Sequence, residues 1–359
     1  MKIISIIGAR PQFIKCAPLS RAIRKQCQEI LLHTGQHYDP KLSNIFFNEL
    51  NIPKPDYNLN IGSAPHGEQT GKMLIEIEKI LIKEQPDLVL TYGDTNSTLA
   101  GALTASKLHI KTAHVEAGLR SFDRTMPEEI NRILTDNISD LLFCPTETAL
   151  KNLISEGITK GVYLVGDVMK DALEYNITIA EEQSEILSDL DLISGEFIVA
   201  TLHRPANTDS KEKLLSVLKA FYNVDETIVF PVHPRTEKYL QEYSQWDKLC
   251  ECVKVIQPLG YIDMLKLMAN AKKILTDSGG IQKEAYMLGV PCITMRENTE
   301  WVETIEEGWN MLVGSDYKKI VDAIKGFEGA NKRSDVFGRG NSSERIVEII
   351  RLTPQVAVA

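Results

Sequence analysis

Residues 87–120 read DLVLTYGDTNSTLAGALTASKLHIKTAHVEAGLR, and their rhythm decides the fold. A nearly continuous apolar run at 87–92 gives way to a helical period at 96–109 and then to a second apolar run at 111–115. Runs this short and this apolar read as strands buried on both faces. A strand, a helix and a strand in so few residues make a crossover unit, so the two strands lie parallel. The polar residues stand just after the strands, as Gly93-Asp94-Thr95-Asn96 and Glu116-Ala117-Gly118. That is the edge at which open α/β sheets bind ligands.

The same alternation extends in both directions. Strands are expected at 2–7, 29–34, 87–92, 111–115, 141–144 and 162–166, and again at 197–202, 227–233, 253–257, 273–277, 291–295 and 311–314. Helical periods fill the gaps at 66–84, 96–109, 127–139, 211–222 and 279–288. Two such series imply an α/β protein of two Rossmann-like, doubly wound domains facing a cleft. The expected division is 1–173 and 174–340, the seam lying in the polar stretch 174–195, with the tail 341–359 in reach of the first domain.

Composition narrows the function. The 359 residues are 43% hydrophobic and 25% charged, the balance of a soluble globular protein. A net charge of -9 argues against nucleic acid as a partner, though not against an anionic small ligand held in one basic pocket. No run approaches 18 uncharged apolar residues, so no membrane span is expected. The opening MKIISIIGA lacks a cleavage site and reads as a first strand rather than a leader. The six cysteines form no CxxC pair and read as reduced core thiols, which favours the cytoplasm. With seven histidines and no HExxH spacing, no metal site is expected. The chain also lacks the G-x-G-x-x-G dinucleotide fingerprint and the G-x-x-x-x-G-K-[ST] phosphate loop.

Candidate site residues cluster where strands end. Gly8-Ala9-Arg10-Pro11-Gln12 and Lys15 open a helix after the first strand, so Arg10, Lys15 and the helix N-terminus suit an anion. The bland reading is surface cations on an ordinary loop. Asp94 and Glu116 close successive strands, and Glu128 enters on a helix N-terminus in Met126-Pro127-Glu128-Glu129. Asp94 could instead be a helix N-cap. Three convergent carboxylates would push at least one upward in pKa and so serve acid/base chemistry. In the second domain His203 and His233 follow strands, and Ser278-Gly279-Gly280 opens a helix with Glu284 one turn in. That turn lets backbone N–H groups approach an oxyanion, with Glu284 available to ribose hydroxyls. Its plain alternative is a tight helix start with a serine cap.

Taken together, Gly8-Ala9-Arg10-Pro11 with Lys15, Thr34-Gly35-Gln36-His37, Gly93-Asp94-Thr95, HVEAGLR at 114–120, PEE with NR at 127–132 and DSGGIQKEA at 277–285 resemble the non-hydrolysing UDP-N-acetylglucosamine 2-epimerases. The resemblance runs from residue 1 to about 315 in order. It implies a fold like that of the GT-B glycosyltransferases, a UDP-sugar substrate, no cofactor and a homodimer. It also implies elimination of UDP to a 2-acetamidoglucal and re-addition from the other face. On it Asp94, Glu116 and Glu128 look like the acid/base carboxylates, and His203 like the histidine near the departing phosphate. Arg10, Lys15 and Ser278-Gly279-Gly280 look like the pyrophosphate cradle, with His233 a further UDP-site residue. Glu284 looks like the ribose ligand, and Arg132 like a positioning residue. Two positions depart from the pattern. Many bacterial members carry -HRREN- where this chain has His203-Arg204-Pro205-Ala206-Asn207, and an arginine where Glu68 stands. Those cations help hold a second UDP-sugar as activator. GARPQFIK, GDTNSTLAGAL and TEWVE are more similar to the branch acting on UDP-2,3-diacetamido-2,3-dideoxyglucuronate. A GT-B glycosyltransferase, a hydrolysing epimerase and a non-catalytic nucleotide-binding protein are the competing expectations.

Overall fold

The computed structural model describes residues 1–36, 47 and 49–353. They divide into two units, Met1–Glu174 with the segment from Asp335 onward, and Tyr175–Ser334. His37 lies outside the described residues.

The first unit is built on β1 (Lys2–Ile7), β2 (Gln28–His33), β3 (Tyr57–Asn58), β4 (Leu88–Tyr92), β5 (Lys111–Val115), β6 (Leu141–Cys144) and β7 (Val162–Leu164). These form one sheet in the order β3-β2-β1-β4-β5-β6-β7, parallel throughout. Strand order reverses between β1 and β4, which makes their carboxyl ends the topological switch point. The helix Asn96–Lys107 lies close on the sheet because Ala100, Ala102 and Ala105 bury little volume there. Thr95 caps it by accepting from the Thr98 backbone N–H. The helix His66–Glu84 buries Met73, Ile77, Ile80 and Leu81 along one stripe, against Ile4, Ile6, Leu32 and Val89. Cutting one of these to alanine would cost about 2–5 kcal/mol. The chain leaves this helix through Gln85 at φ 47°, and Pro86 prevents its continuation.

The second unit carries β8 (Phe197–Thr201), β9 (Thr227–Pro231), β10 (Lys254–Ile256), β11 (Lys273–Thr276), β12 (Cys292–Thr294) and β13 (Asn310–Leu312). Their order, β10-β9-β8-β11-β12-β13, is also parallel and reverses between β8 and β11. Both units are therefore Rossmann-like, as the alternation of elements led one to expect.

Three features differ from the sequence reading. β3 was not foreseen, because a two-residue edge strand leaves no run to recognise. The polar stretch at 174–195 has no strand, but the helix Val168–Gln183 runs through its first half. Cys250 and Cys252 are exposed rather than in a core, since the helix Trp246–Cys252 buries only Leu249. Cys144 and Cys292 are buried, and burial pushes each thiol up to about 12. The tail helix Ser342–Leu352 packs on the helix Arg10–Arg24 and is capped by Asp171, which accepts from Ser342 N at 3.1 Å and Ser343 N at 2.7 Å. No described helix is long and apolar enough to cross a membrane.

Candidate active site

In the first unit the switch point is organised by Gln12. Its Oε1 accepts from Gly8 N (2.8 Å) and Ala9 N (3.0 Å), and its Nε2 donates to Tyr92 O (2.9 Å) and Thr98 Oγ1 (3.1 Å). One amide thus ties the end of β1 to the end of β4. Arg10 begins the helix Arg10–Arg24 and is partly exposed.

Lys15, read from the sequence beside Arg10, is buried and has its ammonium on the Glu116 carboxylate. Glu116 itself sits just past β5 at φ 73°, a conformation unusual for a residue with a side chain. Gly93, at φ 63°, leaves the room that this pair occupies. A Cβ there would stand 3.1 Å from Lys15 Nζ and 3.4 Å from Glu116 Oε2.

Asp94 does not cap the following helix, because Thr95 does. Its carboxylate instead pairs with Arg132, whose other arm reaches Glu129 at 3.0 Å. Arg132 and Glu129 are buried, while Asp94 is partly open. Glu129 is fully employed by Ser121 N, Ser121 Oγ and Phe122 N, each at 2.9 Å. Asn131 Nδ2 donates to Asp94 O (3.0 Å) and Asn96 Oδ1 (3.2 Å). The start of the helix Pro127–Ile138 is thus fastened to the end of β4. Glu128 lies one turn before Arg132 on that helix, partly exposed on the same side. Repulsion among bare carboxylates, which the sequence suggested, is replaced for Asp94 and Glu116 by a cation against each.

In the second unit the corresponding edge joins β8 and β11. Asp277 is fully buried and accepts from His203 N (3.1 Å), Arg204 N (2.9 Å) and Asn207 Nδ2 (3.2 Å), with His203 Nδ1 at 3.2 Å from Oδ1. Burial alone would raise the Asp277 carboxyl, but His203 and these donors outweigh it and hold it below the ordinary range. Donation from Nδ1 to Asp277 leaves His203 Nε2 turned away from the carboxylate. The His233 ring lies 5.6 Å from that of His203, centroid to centroid, and its Nδ1 accepts from Arg235 N at 3.1 Å.

Ser278 precedes the helix Gly279–Leu288, and its hydroxyl caps nothing in that helix. A Cβ on Gly279 would stand 2.5 Å from Glu300 Oε1 and 3.2 Å from Trp301 Nε1, so a side chain there would have to displace Glu300. Glu284 is buried beside Tyr261. Burial, and then the Glu284 charge and hydrogen bond, push the Tyr261 hydroxyl well above its ordinary range. Pro205 opens a short turn of helix, Pro205–Thr208, that carries Asn207 onto Asp277 and Met295 O. Glu68 pairs with Lys72 at the surface, 2.6 Å apart. Gln12, Glu129, Asn131 and Asn207 stand in segments that the sequence marked out but had no role assigned to them there, and Tyr261 lies in none of those segments.

Charge-paired carboxylates at the switch point of one Rossmann-like unit, and in the other a buried Asp277 under a partly exposed His203 beside a glycine-opened helix, fit an isomerase of the nucleotide-sugar class. The UDP-N-acetylglucosamine 2-epimerase family model matches residues 21–351, and the chain belongs to that family. It is 50% identical to the UDP-N-acetylglucosamine 2-epimerase of Methanocaldococcus jannaschii, over 98% of this chain and 99% of that protein. It is 48% identical to the UDP-2,3-diacetamido-2,3-dideoxy-D-glucuronate 2-epimerase of Pseudomonas aeruginosa, again over 98% and 99%. Among solved structures, that of the M. jannaschii enzyme in complex with UDP-GlcNAc and UDP superposes with a TM-score of 0.93 at 49% identity, covering 98% of this chain and 100% of that one.

Proposed function

We propose that this chain inverts carbon 2 of UDP-N-acetylglucosamine, interconverting it with UDP-N-acetylmannosamine by elimination and re-addition of UDP. The C1–O bond to UDP breaks as carbon 2 gives up its proton, leaving UDP and 2-acetamidoglucal. UDP then re-forms the C1–O bond while carbon 2 is protonated on the opposite face. Proton and UDP are both returned, so the cycle is redox-neutral and needs no hydride carrier.

The observation that carries this reading is the pair of ion pairs at neighbouring strand ends, Lys15–Glu116 and Arg132–Asp94. Two faces of one carbon call for more than one proton carrier. Glu116, charge-paired as a carboxylate, suits the base on one face. Asp94, set by Arg132 and partly open, suits the other with Glu128. In the second unit the Gly279–Leu288 helix N-terminus, with Ser278 and Gly280, would hold the diphosphate as its charge grows. His203, oriented by Asp277, would donate from Nε2 to the leaving phosphate oxygen. Arg10 and His233 would add contacts to UDP, and Glu284 would take ribose hydroxyls. The UDP-GlcNAc and UDP bound to the M. jannaschii enzyme support this assignment.

A second substrate reading rests on the 48% relative, which acts on a UDP-diacetamido-dideoxyglucuronate. Proton NMR of the products from each UDP-sugar decides between them. Turnover of UDP-N-acetylglucosamine alone supports the first reading, and turnover of the diacetamido sugar alone would replace it. We place the enzyme in the cytoplasm as a homodimer. Exposed Ile75, Ile82, Ile130 and Leu134 lie on helices His66–Glu84 and Pro127–Ile138, both packed on Asn96–Lys107, and offer it an apolar face. Light scattering measures the state.

A further inference from the structure

We infer that His114 is a buried imidazolium, protonated on both ring nitrogens, that positions the acid/base edge of the first unit. His114 lies on β5 with no exposed surface. Its Nδ1 is 2.7 Å from Asp136 Oδ1 and its Nε2 is 2.7 Å from the carbonyl oxygen of Gly93. A carbonyl can only accept. Asp136 is occupied as a carboxylate, its other oxygen taking Gly118 N (3.1 Å) and Arg120 Nη1 (2.7 Å). A ring with one proton would set a lone pair against an oxygen on one side or the other. Two protons satisfy both contacts.

Charge balance agrees. Arg120 also binds Glu156 at 2.6 Å and 2.7 Å, so Asp136 and Glu156 share one guanidinium. The imidazolium makes the group two cations against two anions, with His114, Arg120 and Asp136 buried and Glu156 at the solvent edge. Cys144 also faces Asp136 and Arg120, and its thiol, pushed up to about 12 by burial, supplies no charge at neutral pH.

The ring grips the peptide that carries Asp94. Gly93 is held at φ 63° with Lys15 and Glu116 packed where a side chain would be. Asp136 sits on the helix that bears Glu128 and Arg132. One side chain therefore fixes the turn after β4, the turn after β5 and the Pro127–Ile138 helix together. His114 touches no reacting atom on this account and acts through Gly93 and Asp136.

Nitrogen-15 NMR of the histidine rings tests the charge state, with His114→Asn used to assign the resonance. Both His114 nitrogens should carry protons in the folded protein, each showing the shift of a protonated ring nitrogen. One bare nitrogen would overturn the proposal. The kinetic arm rests on the epimerase reading. His114→Asn keeps a donor toward Asp136 and loses the grip on Gly93, whereas His114→Gln keeps a donor toward Gly93. His114→Asn should lower kcat about ten- to hundredfold with little change in KM, and His114→Gln should recover part of it. Wild-type kcat in folded His114→Asn, or an effect confined to KM, would refute the positioning role. If wild-type protein turns over neither UDP-sugar the epimerase reading fails, and the NMR arm still decides the charge state.

Discussion

Replacing Lys15 by methionine would strip the cation from a carboxylate that is almost wholly buried. The side chains of Lys15 and Glu116 are 9% and 6% exposed. Removing one partner of such a pair leaves a charge that water cannot reach, at a cost of about 3–5 kcal/mol. A unit of roughly 200 residues loses about 2–4 °C of melting temperature per kcal/mol. Lys15→Met should therefore melt about 6–20 °C below wild type by calorimetry. The double variant Lys15→Met/Glu116→Gln removes both charges and keeps both shapes. It should regain most of that loss, because the penalty belongs to the stranded carboxylate rather than to lost packing. A single variant within about 2 °C of wild type would refute the buried pair. A double variant no more stable than the single would show that packing, not charge, holds Lys15 in place.

The other expectations concern turnover, binding and regulation. Asp94→Asn and Glu128→Gln should each lower kcat about a hundredfold or more while UDP-sugar binding survives, and wild-type turnover would remove that residue from the chemistry. Gly279→Val would drive a side chain into Glu300, 2.5 Å from the Cβ position, and block the helix N-terminus. UDP affinity should fall sharply by titration calorimetry, and unchanged affinity would place the diphosphate elsewhere. Because Glu68 is a carboxylate paired with Lys72, and Pro205 begins a turn of helix, neither supplies the cation that two neighbouring diphosphates need. Initial rates should be hyperbolic in substrate, and a sigmoidal curve or a requirement for added UDP-N-acetylglucosamine would contradict this.

Much of the fold was legible because buried parallel strands advertise themselves as apolar runs. Helices 211–222 and 279–288 were read to the residue, each announced by a serine at its start. β3 was not, since Tyr57 and Asn58 pair with Leu32 and His33 for reasons of tertiary geometry alone. At the site, glycine turns and strand-end charges picked out Asp94, Glu116 and the Ser278 turn. Charge pairing was hidden. Nothing in the sequence distance between Lys15 and Glu116, or between His114 and Asp136, tells that they meet. Lys15 reads as an anion ligand until the fold lays it against Gly93, and the carboxylate repulsion inferred from Asp94, Glu116 and Glu128 omits the cations that the helices bring in. His114 lay inside the recognised HVEAGLR motif without any local signal of its role.

In the proposed elimination, carbon 2 loses its proton and regains one from the enzyme during each inversion. Running the reaction in deuterated water, with UDP-N-acetylglucosamine alone and no added nicotinamide, measures this at the reacting atom. Deuterium at carbon 2 of the product, read by proton NMR and mass spectrometry, is the expected result. Inverted product that retains protium at carbon 2 throughout would contradict it.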